Sequence, residues 1–489
     1  MHSVPKTSLR TASAFAALSL SLVLGSGTAL AQPWGPLAPP NPFLGPDGTS
    51  TMHGDAGSSD VTTLAGPGTE VSATAQSLLA ACPTLLQGSD GLVVALCTPI
   101  VSRIPTVHLI NPDAPASPLA KLELAKGSLL GGVYAFLDDE NRLVVVDGSR
   151  KLLRIGHTGN SLSVDSTVDL TGAVPDGDAV TGLVPDWQGN VWFATGAGVI
   201  GSVDAAGVAR TVRVPEGEQV QNSISSSPAG VSVATTHALY QLSLAADGTP
   251  KVDWRQGYDR GSARKPGQLS WGTGSTPTFF GPNTGYEYVT MVDSADTRVN
   301  LLVHRTDNGQ EVCKVPVLGS GGPGSENSPI GVGNSVFVAS TYGYPYPAVP
   351  EGAGPAVPAT APFTGGMTRV DVDADGTGCH EVWDNTVRSS AVPHLSTADG
   401  HLYTVQRKGT GGPLDGYEFT VIDPATGQVL STTGMPGTTA NDTLQMSALI
   451  TAKGDYLQGT VTGMVRVSAG EGGGSGSLGS LGGLGSSAS

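Results

Sequence analysis

Eight related segments recur along this chain, each a small or polar start, a short run of strand residues, a turn and a second β-rich run. They begin at Ala80 (AACPTLLQGSDGLVVAL), Gly131 (GGVYAFLDDENRLVVVD), Val180 (VTGLVPDWQGNVWFAT), Gln221 (QNSISSSPAGVSVATT), Gly274 (GSTPTFFGPNTGYEYVTMV), Asn327 (NSPIGVGNSVFVAST), Ser389 (SSAVPHLSTADGHLYTVQ) and Gln445 (QMSALITAKGDYLQGT). Successive starts lie about 40 to 60 residues apart, the period of four-stranded propeller blades. A single repeat of this size cannot bury its apolar face, so the units must stack on one another. The expected fold is all-β: a single eight-bladed β-propeller.

Within the repeats, β-branched and aromatic runs such as LVVVD from Leu143, NVWFAT from Asn190, HLYTVQ from His401 and EFTVID from Glu418 read as strands. Asp90-Gly91, Asp247-Gly248 and Asp399-Gly400 are hairpin turn signals. The final repeat is short, with only VTGMVRVSA from Val461 after its first hairpin. A ring must close without an open edge, so the other terminus is expected to donate the missing strand. Residues 61–75, containing TEVSAT, are the candidate, and the last blade then combines both ends of the chain.

The remaining segments fall outside this repeat. Residues 1–31 read as a secretory leader, with Lys6 and Arg10, an apolar core from Ala12 to Leu24, and Ala29-Leu30-Ala31 as the cleavage site. Residues 32–60 form a Pro-rich extended lead, and 61–469 the propeller. The Pro/Ala-rich stretch 342–362 reads as an insertion in the sixth repeat, either mobile or draped over one face, and 470–489 as a disordered Gly/Ser tail. No later segment has the roughly 18 consecutive apolar residues of a membrane span. A secreted protein, extracellular or associated with the cell envelope, is expected, and as a monomer.

Net charge is −16 with only 13% charged residues, which disfavours nucleic acid and anionic membrane surfaces as partners. Aromatic residues make up 5%, leaving little surface for stacking bases. Four cysteines in an exported chain imply two disulfides. Cys82 and Cys97 fall on neighbouring strands of one hairpin; Cys313 and Cys379 lie near the outer ends of successive repeats.

Ile422-Asp423-Pro424-Ala425-Thr426-Gly427 matches the D-x-x-T-G turn of quinoprotein-type repeats. Together with GQLSWGTGSTPTFFG from Gly267, MVDSADTRVN from Met291, GSENSPIGVGNSV from Gly324 and NPFLGPDGTSTMHGDAG from Asn41, it makes the chain resemble exported bacterial quinoprotein-like propellers (PQQ-like repeats) of unassigned activity. The resemblance covers nearly all of the mature chain and implies no catalytic residues. A quinone site would need a flat axial slot, an aromatic platform, carboxylates holding calcium and cationic contacts, and the vicinal cysteine pair of many such dehydrogenases is missing. VPDWQGNVWFATGAGVIGSVDAAG, in one blade, resembles repeats of metal-dependent lyase and lactonase propellers.

Blade geometry locates the candidate site, because residues just before and within each innermost strand line the central funnel. By that rule Asn222, Thr276, Glu326, Asn327, Arg388 and Gln445 converge, and Asp293, Asp296 and Arg298 reach the same face from the loop of the fifth repeat. His53 with Asp55 is an early pair able to clasp the lead to the propeller or to move a proton. No cofactor is expected; the spacing of Asp371, Asp373 and Asp375 leaves calcium open. His380-Glu381-Val382-Trp383-Asp384 reads as strand, which alternates its side chains and so does not build a zinc site. The expected function is binding of a small molecule, glycan or protein at the funnel, without a redox cofactor. The alternative is an exported metal-assisted lyase or hydrolase, or a PQQ-type dehydrogenase.

Overall fold

The computed structural model describes residues 1–2, 34–114, 117–127, 133–222 and 224–470. Leader and tail lie outside these residues apart from Met1, His2 and Gly470. Among the described residues the one helical element is the single turn Thr439–Asn441, and no helix is long and apolar enough to cross a membrane. Everything else that is regular is strand, grouped into eight sheets.

Seven sheets are antiparallel meanders from consecutive strands, spanning 80–123, 135–169, 180–213, 224–257, 278–316, 330–385 and 394–434. The first strand of each blade is innermost, and these strands contact one another around the axis. The eighth blade takes Ala448–Ile450, Tyr456–Thr460 and Gly463–Ala469 from the C-terminal side. Its outermost strand is Val71–Ser77, which pairs antiparallel from Val71 opposite Ala469 to Ser77 opposite Gly463. The ring therefore closes as expected, with both ends of the chain in one blade.

The small and polar residues that open each repeat have a structural reason. Thr84, Thr181 and Thr278, on innermost strands, donate their hydroxyls to carbonyls at the start of the next blade: Val133, Val220 at 2.7 Å and Pro329 at 2.7 Å. Ser225 does the same toward Pro277. Each such buried bond contributes about 1 kcal/mol net and, more importantly, fixes one blade against its neighbour. Between the sheets the packing is apolar, with Trp192, Phe193, Val231 and Tyr240 in one cluster that runs across three blades.

Two disulfides are present. Cys82–Cys97 staples the first hairpin, and Cys313–Cys379 joins the outermost strands of the fifth and sixth blades.

An innermost strand leaves unpaired N–H groups facing the axis, and buried donors need partners. The Pro-rich lead supplies them. Backbone N–H groups of Gln87, Leu137, Ser226, Phe279, Gly331 and Leu395 donate to the carbonyls of Thr49, Ser50, Ala56, Gly57, Ser59 and Asp60 at 2.8 to 3.1 Å. Asn41 reaches the remaining one of the first seven blades through its side-chain amide to Pro185 O, 3.1 Å. Val61–Thr62 then adds a short parallel strand to the seventh blade. Residues 41–62 are thus an internal plug on the propeller axis.

Candidate functional site

Above the plug lies a cavity of about 640 Å3. Its floor is Met52 and His53 of the plug. Its walls come from the chain just before or within innermost strands, including Tyr134, Asn222, Thr276, Glu326, Asn327, Gln445 and Ser447. Tyr346, Pro347, Ala348, Val349 and Pro350 cap it from the insertion. The insertion is therefore draped over the axis. It is held there by Tyr344, whose hydroxyl donates to Asp442 Oδ1, by Arg264 Nε donating to Gly354 O at 2.9 Å, and by the Val357 N–H donating to Arg264 O at 2.8 Å.

Several predicted site residues meet at this cavity. Asn222, Thr276, Glu326, Asn327 and Gln445 all line it. Asn327 Nδ2 donates to Gln445 Oε1 at 3.0 Å, and Gln445 Nε2 to Ser389 O at 2.8 Å, so this pair braces the wall. Leu444 and Gln445 both hold left-handed backbone, φ 51° and 59°. Such conformations cost a non-glycine residue free energy and persist where packing over-determines them.

Four predicted residues are not part of the lining, and each has a local employer. Arg388 turns along the seventh blade and donates to Arg407 O and Lys408 O at 3.2 and 3.0 Å. Asp293 is a turn staple: its carboxylate accepts from the N–H groups of Ala295 and Asn300 and from Asn300 Nδ2, with Lys314 at 3.5 Å. Asp296 is exposed to solvent and accepts the Ser262 N–H at 2.9 Å, which holds its carboxyl below the usual range. Arg298 reaches Val317 O at 3.0 Å and Glu381 at 3.3 Å on the blade edge.

The same staple explains the motif in VPDWQGNVWF. Asp186 accepts from the N–H groups of Gln188 and Asn190, from Asn190 Nδ2 and from Trp192 Nε1. It sits at the end of its strand away from the cavity and serves the turn. The three aspartates with calcium-like spacing diverge to separate partners: Asp371 to Arg369, Asp373 to His380 and Asp375 to Thr377. Among the described residues no group of three His, Cys, Asp or Glu side chains is placed to hold a metal ion.

His53 is paired with Asp60, not with the expected Asp55. Nδ1 lies 2.9 Å from Asp60 Oδ1, while Asp55 accepts from the Ser59 N–H and hydroxyl. The reason is backbone geometry: Ser58 and Asp60 both adopt left-handed φ, 56° and 54°, and the tight loop folds Asp60 back under the ring. Ser328 donates to Asp60 Oδ2 at 2.6 Å, and Ser447 Oγ is 3.4 Å from His53 Nδ1, so the pair clasps plug to blades. Burial alone would lower the His53 pKa, but the charge and hydrogen bond of Asp60, helped by Asp55, raise it above its ordinary value. With Nδ1 on a carboxylate, the ring is fixed in orientation at the cavity floor, the arrangement that orients a histidine for proton transfer. Asp55 is itself pushed up to about 7, chiefly by burial.

Glu326 is the one carboxylic acid among the described lining residues. Its Oε1 accepts the Leu269 N–H at 2.9 Å, whereas Oε2 is buried without a hydrogen-bond partner. Burial pushes this carboxyl up to about 8, against the opposing pull of Leu269, Asn222 and Ser270. The carboxylate rests against Gly274, where a Cβ would stand 1.9 Å from Oε2. The glycine that opens the fifth repeat thus makes room for the acid.

A quinone with its calcium does not fit this donor set. The lining offers one carboxylate, Glu326, and its basic residues, Arg103 and Lys126, are exposed side chains from the first blade and the loop that follows it. The plug also occupies the axis on which a flat slot would have to open.

No family model matches the chain, and no curated protein matches it. Among solved structures it is similar to a europium-containing methanol dehydrogenase, 10% identical over 86% of this chain and 97% of that one, with a TM-score of 0.49. It is also similar to a streptogramin B lyase (10% identical, 81% of this chain and 97% of that one, TM-score 0.39). A virginiamycin B lyase from Staphylococcus aureus is 11% identical over 82% of this chain and 99% of that one, with a TM-score of 0.40. At such identities and scores these similarities carry no argument about chemistry. The propeller rests on the chain's own strand order.

Proposed function

We propose that this is an exported propeller that binds one small, largely apolar molecule in the capped axial cavity, without a redox cofactor. The observation that carries the reading is the cavity itself, about 640 Å3, floored by the plug and roofed by the insertion. Pockets of this size with mostly apolar walls and a few convergent polar groups are the usual form of small-molecule sites. The insertion covers part of the mouth, and the mostly apolar walls with a few polar groups favour the small molecule among the three expected ligand classes. The two disulfides support export, since such bonds persist in oxidising compartments.

Native mass spectrometry after incubation with a pool of neutral apolar compounds tests this reading. One-to-one adducts are expected with the natural chain and not with Ala348→Trp, which fills the cavity from an exposed cap residue. Equal adducts on both proteins, or none on either, would remove the cavity as the site.

A second reading, acid–base catalysis on the bound molecule, is favoured by the His53–Asp60 pair alone. Mass analysis of the recovered ligand separates the two. Unchanged ligand supports a binding protein, whereas conversion that His53→Gln abolishes while binding persists supports an enzyme.

A further inference from the structure

We infer that the molecule bound in the axial cavity carries a basic amine whose ammonium seats on the Glu326 carboxyl group. This rests on the small-molecule reading above and adds the chemical class. Glu326 is only 8% exposed, yet one carboxyl oxygen has no hydrogen-bond partner. A buried polar atom left unmet costs on the order of 1 to 3 kcal/mol, more when charged, and native structures keep few of them. An ammonium supplies both the missing hydrogen bond and the countercharge.

Among the described residues, the cations that line the cavity, Arg103 and Lys126, are exposed and are not among the groups that act on Glu326. Arg264 is the charged neighbour on the loop that packs against Glu326, and its guanidinium is committed to Gln268 O at 2.7 Å and Gly354 O at 2.9 Å. Tyr258 and Tyr346 are the other titratable groups near the acid, with His53 on the cavity floor, and burial keeps both phenols neutral. Tyr134 and Tyr346 add aromatic faces to the lining, which attract a cation rather than an anion. The overall charge of −16 raises the local concentration of cationic ligands in the same sense.

The pairing is linked to a proton. Glu326, held up at about 8 when free, is mostly protonated at pH 7, so seating an ammonium there expels that proton to solvent. Amine affinity should therefore rise about tenfold per pH unit below 8 and flatten above it.

Isothermal titration at pH 7 in two buffers of different ionisation enthalpy, with 4-phenylbutylamine, 4-phenylbutanol and 4-phenylbutanoate as probes, tests this directly. The amine is expected to bind at least about tenfold more tightly than the alcohol and to release close to one proton, with the carboxylate weakest. Glu326→Gln should erase the amine's lead and the proton release while alcohol binding stays. An amine no tighter than the alcohol on the natural chain, or a lead that survives Glu326→Gln, overturns the amine assignment and leaves the cavity reading standing. Failure of all three probes to bind the natural chain overturns both.

Discussion

At the scale of single residues, the site is governed by two buried acids and one histidine. Asp60 holds His53, and the raised His53 pKa sets the sign of the pH effect: its contribution to stability is full below 6.5 and is lost as pH rises through the folded-state value. Proton NMR of the histidine ring should give a folded value above 6.5. Asp60→Asn should bring it below 6.5, because burial, the largest influence, is then opposed only by Asp55, and cost about 3 kcal/mol by leaving the clasp without its charge. A ring that titrates unchanged in Asp60→Asn contradicts the pairing. Glu326 behaves in the same direction: with its carboxyl raised, the natural chain loses stability as pH climbs through about 8. Urea unfolding should show Glu326→Gln more stable than the natural chain at pH 9, by about 5 kcal/mol, and equal to it near pH 4. Equal stability at both pH values would mean that the acid is not desolvated. Glu326 was legible in the sequence because it directly precedes the sixth repeat, which starts at Asn327. The Asp60 partnership was not, because it depends on left-handed backbone at Ser58 and Asp60, residue types that announce nothing of the kind.

Among the elements, strands and hairpins were the most legible, since alternation and Asp-Gly turns are local signals. Asp293 shows the limit of that reading. Its position after a strand pointed toward the funnel, yet its carboxylate closes its own turn, as Asp186 does in the third blade. The insertion was legible as an insertion, and composition left open whether it drapes. What decides is a few anchors far apart in sequence, Tyr344 to Asp442 and Arg264 to Gly354. Tyr344→Phe should weaken ligand affinity several-fold, by loosening the cap, while lowering stability by only about 1 kcal/mol. Paired titration and melting measurements check this, and a variant with full affinity would show that the cap does not depend on that anchor. The Cys313–Cys379 bridge closes a loop of 66 residues between two blades, and replacing both cysteines by serine should cost about 4 kcal/mol in urea unfolding on the chain-entropy account.

For the whole molecule, the repeat count and the incomplete last blade together specified a ring sealed by both ends of the chain. The plug was not legible as one. A Pro-rich segment carries no periodicity of its own, and its carbonyls acquire meaning only when six inner edges converge on them, with Asn41 meeting a seventh through its side chain. That convergence turns an open funnel into a floored cavity, and the floor brings Met52 and His53 into the site. The function proposed for the molecule follows from this arrangement more than from any blade. Its most direct test is a crystal structure of the protein soaked in 4-iodophenol, a neutral apolar probe whose iodine is located by anomalous scattering. The expected result is one strong iodine peak on the axis, between Met52 and His53 below and Tyr346 above. Iodine bound elsewhere, with the axial cavity holding only ordered water, would contradict the account.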